Sequence, residues 1–86
     1  MSSLVKDLKD QNYKPVSLIN HVAWLLKAKN DSHLSELLDF SNSAINLMRH
    51  RKIAISPTFI VRAMYVTKMT IDEVLELSGI DLTTKD

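Results

Sequence analysis

The sequence predicts a small all-α domain of four or five helices, and three observations carry that prediction. Its 86 residues, 45% of them hydrophobic, suffice for one modest core and are too apolar for a wholly disordered chain. The apolar residues recur at helical spacing, and no alternating β-branched run is long enough to suggest a sheet. Turn signals are sparse, with one Gly and two Pro in the whole chain.

Each element follows from local chemistry. Residues 1–14 form an N-terminal segment that can carry a short helix, capped by Ser2 or Ser3, with Leu4, Val5 and Leu8 on one side. The domain itself is expected over 15–80. Pro15 suits the first turn of a helix, where its missing N–H has no partner to lose. From Val16 to Ala28, the stripe Leu18, Ile19, Val22, Leu25 and Leu26 faces a core, with Trp24 in the core or at its edge. Asp31 or Ser32 then caps a two-turn helix from His33 to Leu38 with Leu34, Leu37 and Leu38 on its apolar face.

After the break at Asp39–Phe40, Ser41 caps a further helix. At ~100° per residue, Asn42, Ser43, Asn46, Arg49 and His50 share one polar arc. Ala44, Ile45 and Met48 fall opposite, with Leu47 at the boundary, so this helix buries a narrow seam and leaves a hydrogen-bonding face free. Ser56 and Pro57 open the next helix, running to about Lys68, with Phe59, Ile60, Ala63 and Met64 inward. Thr70 and Glu73 match a capping box, Val74 and Leu75 carry the last apolar face, and Gly79 stops it. Residues 81–86 read as a flexible acidic tail.

Charge is unevenly spread. The net charge of +1 hides a run from Ser41 to Met69 with five bases (Arg49, Arg51, Lys52, Arg62, Lys68) and no acid. From Thr70 to Asp86, five acids stand against Lys85, a local balance of −4. A basic face and an acidic end follow. The absence of Cys fits a reducing compartment, and nothing approaches the ~20 apolar residues of a membrane span, so a cytoplasmic protein is expected. His21, His33 and His50 lack ligand spacing, and there is no Gly-rich phosphate loop or Ser/His/Asp arrangement. An enzyme, a metal, a cofactor and a small-molecule substrate are therefore not expected.

The order of pieces, with "HLSELLDFSNSAINLMRHRK" followed by "ISPTFIVRAMYVTKMTIDEVLELSGI", resembles the phage Cro/cI-type (XRE) helix-turn-helix repressor domain. Leu34 and Ser35 match the Leu and small residue of the motif's first helix. Asn42, Ser43, Ala44 and Ile45 match the polar triplet and Ile after the turn, Met48 the following buried aliphatic, and "TIDEVLELSGI" the usual ending. Asp39 stands where the turn Gly is usual, and Arg51 where a loop Gly is common.

The resemblance implies a lambda-repressor-like fold and a sequence-specific regulator of double-stranded DNA, nucleoid-associated in a prokaryotic host. It would act as a homodimer on a palindromic operator, joined through Leu4, Val5 and Leu8 or through the surface around Tyr65 and the last helix. The second helix of the motif would enter the major groove. Asn42, Ser43 and Asn46 would read bases, and Leu47 would touch a thymine methyl or pack at a core edge. Arg49 would contact base or phosphate. His50, Arg51 and Lys52 would lie over phosphates, as would the N–H groups near Asn30 and Ser32. The competing expectation is a protein-interaction module, such as an antitoxin or antirepressor, using the same helices. An exposed apolar patch of Leu47, Tyr65 and Val66 would favour it.

Overall fold

A computed structural model describes residues 8–80, and within them the chain is all-helical, with five helices and no strand. They are α1 (Pro15–Leu26), α2 (Asp31–Leu38), α3 (Asn42–Arg49), α4 (Pro57–Thr67) and α5 (Ile71–Ser78). Residues 8–14 run as turns rather than helix; the rest of the expected N-terminal helix, and the acidic tail, lie outside the described residues.

Helix α1 is the hub, touching each of the other four, while α2 also packs on α3 and α4. Its Leu18, Ile19 and Val22 are fully buried, as are Leu34 from α2, Ile45 and Met48 from α3, Phe59 and Ala63 from α4 and Val74 from α5. Phe40, in the α2–α3 turn, meets Phe59 edge to face at 5.5 Å, which closes the core beneath that turn. No buried side-chain polar atom among the described residues lacks a partner.

The caps explain the boundaries. Ser41 Oγ accepts the Ala44 N–H at 3.2 Å, and Ser56 Oγ accepts that of Thr58 at 3.1 Å ahead of Pro57. Thr70 and Glu73 form the reciprocal box. Helix α2 departs from expectation: Asn30, not Asp31 or Ser32, is its cap, its Oδ1 accepting the His33 N–H at 2.8 Å, so the helix begins at Asp31.

With one glycine in the chain, most helices end on a residue forced into the left-handed region. Lys27 (φ 57°), Asp39 (φ 51°) and Arg51 (φ 58°) follow α1, α2 and α3. At each, the next N–H reaches back five residues: Ala28 to Ala23, Phe40 to Ser35 and Lys52 to Leu47, all at 2.9 Å. These are Schellman closures, normally a glycine's task. Asp39 and Arg51 thus occupy the backbone conformation that glycine favours.

Three apolar assignments need correction. Trp24 is not in or at the core: it is 72% exposed, with the His21 ring 5.8 Å away as its aromatic neighbour. Leu25 and Leu37 are likewise exposed.

Candidate nucleic-acid interface

The polar arc of α3 is free. Ile45 and Met48 point into the core, while Asn42, Ser43, Asn46 and Leu47 are exposed. That arrangement follows from the helical projection, since the two buried residues are three apart and the others lie on the remaining arc. Leu47 is 41% exposed and belongs with the polar face rather than the core.

The turn Asp39–Ser41 brings this face beside the start of α2. Asn30, Asp31 and Ser32 line one concavity together with Asn42, Ser43, Asn46 and Leu47. Two stretches ten or more residues apart thereby converge. The α2 end is rigidly built, since Asn30 caps the His33 N–H and His33 Nδ1 in turn accepts the Lys29 N–H at 3.0 Å. Asn42, Ser43 and Asn46 are exposed, and their side chains bond to no other described residue, so their hydrogen-bonding groups face solvent.

The basic residues behave differently from expectation. Arg49 is not a free contact: its Nε and Nη2 donate to the two carboxylate oxygens of Asp31 at 2.8 and 2.9 Å, and its Nη1 donates to Asn20 Oδ1 at 2.8 Å. A bidentate pair of this kind fixes geometry as well as charge, and it straps the end of α3 to α1 and α2. It also neutralises the carboxylate in the concavity.

Arg51 is likewise not spread over a ligand surface. Its guanidinium donates to the carbonyls of Tyr13 at 2.7 Å, Leu8 at 3.2 Å and Asp10 at 3.3 Å, and sits 5.7 Å from the Tyr13 ring centre. Tyr13 is itself buried, with its hydroxyl accepting the Ile55 N–H at 3.0 Å. Burial pushes that phenol above its ordinary range, against the Ile55 hydrogen bond and the Arg51 charge, which lower it.

Arg62 donates to the Asp39 carbonyl and lies 3.7 Å from the Asp39 carboxylate, and the Lys68 ammonium stands 5.2 Å over the Tyr65 ring. Of the acid-free run, only Lys52, with His50 beside it, is exposed and unengaged among the described residues. Sequence reasoning missed Asn20, Asp31 and Tyr13 as the partners that consume these cations. No signal short of the fold pairs residues 18 to 43 positions apart.

Among the described residues, no group of three His, Cys, Asp or Glu side chains could hold a metal ion, and no helix is long and apolar enough to cross a membrane. No protein-family model, curated protein or solved structure matches the chain.

Proposed function

We propose that the chain is a sequence-specific double-stranded DNA-binding regulator of the Cro/cI helix-turn-helix type. In this reading α2 and α3 are the motif and α3 is the groove-reading helix. The observation that carries it is the shared concavity: the expected base-reading residues Asn42, Ser43, Asn46 and Leu47 stand next to the expected phosphate-facing residues Asn30 and Ser32. An amide can pair bidentately with adenine N6/N7 in the major groove, and Asn42, the exposed first residue of α3, is the base reader in this reading. Phosphates on the adjoining backbone would meet the α2 end.

A homodimer on a palindromic site completes the reading. One short helix reads few base pairs, and half-sites about 34 Å apart are the usual remedy. The described domain measures 40 × 25 × 23 Å, small enough for one copy to sit on each half-site. Val61 and Tyr65, 64% and 77% exposed one turn apart on α4, supply an apolar face for self-association. The same face favours a second reading, an antitoxin-like or antirepressor-like module that offers α4 to a partner protein.

The test is Asn42→Ala on a duplex selected from a random-sequence pool, read by fluorescence anisotropy. The variant should lose about 1–3 kcal/mol on the selected site and little on random DNA, where phosphates dominate. Its melting temperature should stay near that of the parent. An unchanged ratio of selected to random affinity would transfer the weight to the protein-partner reading.

A further inference from the structure

We infer that the DNA backbone is gripped from the corner between α1 and α2, by Lys27 and Lys29 beside the exposed Trp24, and not by the arginines around the end of α3. This rests on the DNA-binding reading above and extends it by naming the phosphate ligands.

Binding to a polyanion needs cations whose charge is available, because each phosphate neutralised releases condensed counterions. Arg49, Arg51 and Arg62 already donate to a carboxylate or to backbone carbonyls. Moving any of them onto a phosphate would break those bonds. Lys27 and Lys29 differ. Both are exposed, and neither ammonium forms an ion pair among the described residues. With Asn20, Ala23, Trp24, Leu25 and Ala28 they line a surface hollow that contains no carboxylate.

Position supports the same assignment. Lys29 immediately precedes Asn30, which caps α2 and lines the concavity facing α3. Asn20, in the wall of the hollow, holds the Arg49 guanidinium at the far end of α3. The hollow therefore adjoins the reading face. The backbone beneath it is pinned, since the Lys27 N–H reaches the Trp24 carbonyl at 3.2 Å and the Lys29 N–H reaches His33 Nδ1 at 3.0 Å. Two free ammonium groups stand on a fixed frame. The indole adds a donor N–H and a flat apolar face, matching phosphate oxygen and deoxyribose respectively.

Trp24 is the only tryptophan, so its emission reports on this corner alone. The intact chain is titrated with the selected duplex at several salt concentrations. Binding should change the Trp24 emission. Lys27→Asn with Lys29→Gln should lower the log–log salt slope by about 2, one for each phosphate contact. Asparagine is chosen at 27 because the backbone there is left-handed, a conformation it tolerates. Lys29→Arg, which keeps the charge, should keep its share of the slope, and melting curves confirm that each variant is folded. Selected-site binding with unchanged emission and an undiminished slope in the folded double variant would overturn this inference while leaving the DNA reading intact. The hollow would then fall to a protein partner. Failure of the parent chain to bind any duplex at about 50 mM salt, where phosphate contacts are strongest, would overturn both.

Discussion

Replacing Arg51 separates a structural cation from a ligand-binding one. Its guanidinium makes one short bond, to Tyr13 at 2.7 Å, and two long ones, to Leu8 and Asp10 at 3.2 and 3.3 Å. A hydrogen bond from a charged donor contributes about 1.5–3 kcal/mol when well made, and the face of Tyr13 adds about 0.5. The residue is half-buried and two of the bonds are stretched, so Arg51→Ala should cost about 2 kcal/mol in all. The backbone sharpens the test, because Arg51 holds φ at 58°. Arg51→Gly loses the same contacts but relieves a left-handed strain of roughly 1 kcal/mol. Glycine should therefore be more stable than alanine here, the reverse of their order within a helix. Urea unfolding followed by far-UV circular dichroism measures both, and the alanine variant should melt on the order of 10 °C below the parent. At temperatures where it is folded, its DNA salt slope should equal the parent's. A variant with parental stability and a slope reduced by about 1 would show that Arg51 binds phosphate, and the reasoning from its carbonyl anchors would be refuted.

Tyr13→Phe leaves the buried Ile55 N–H without its acceptor and should cost about 1–2 kcal/mol at neutral pH, measured by urea unfolding. Because burial raises the Tyr13 phenol in the fold, its protonated form stabilises the folded state fully below about pH 10 and that stability is lost as pH climbs through the raised value. An alkaline unfolding profile that keeps the same steepness in Tyr13→Phe would count against this. A double-mutant cycle of Asp31→Asn with Arg49→Gln should give a coupling of about 1–2 kcal/mol, discounted for side chains 34% and 22% exposed; a value under about 0.3 would make the strap incidental. Gly79→Ala should destabilise by about 3 kcal/mol or more, since φ is 73° and a Cβ would run into the Asn12 carbonyl. A near-parental melting curve would mean that Asn12 gives way without cost.

What could be seen in the sequence was whatever a few neighbouring residues decide. Ser41, Ser56 with Pro57, Thr70 with Glu73, and Gly79 are caps whose partners lie within four positions, so their chemistry is local. The α2 cap was misplaced because Asn30, Asp31 and Ser32 can all serve, and the choice was settled at a distance: Asp31 is claimed by Arg49. Trp24 shows a different error. At ~100° per residue it lies roughly opposite the centre of the stripe formed by Leu18, Ile19 and Val22. Its size suggested burial, but its angle put it outside. For the candidate site, the α3 face was readable from one helical projection, whereas the fate of the arginines depended on carbonyls and carboxylates supplied by other parts of the fold.

The basic end of α3 can then be understood from what an exposed helix needs. Helix α3 has eight residues, and only Ile45 and Met48 are buried. A helix that short is marginal alone, and a two-residue seam resists rotation poorly. Its direction must be fixed at its ends if its free face is to meet a rigid duplex in one register. The Ser41 cap and the left-handed Asp39 define the entry. Arg49 ties the exit to α1 and α2, and Arg51 closes the last turn while gripping residues 8–13. The two arginines that the sequence presents as candidate ligand contacts, Arg49 and Arg51, are consumed in aiming the helix. On the proposed DNA reading, the arginines at the end of α3 are spent on the fold, and the unpaired lysines before α2 matter more to the interface than they do.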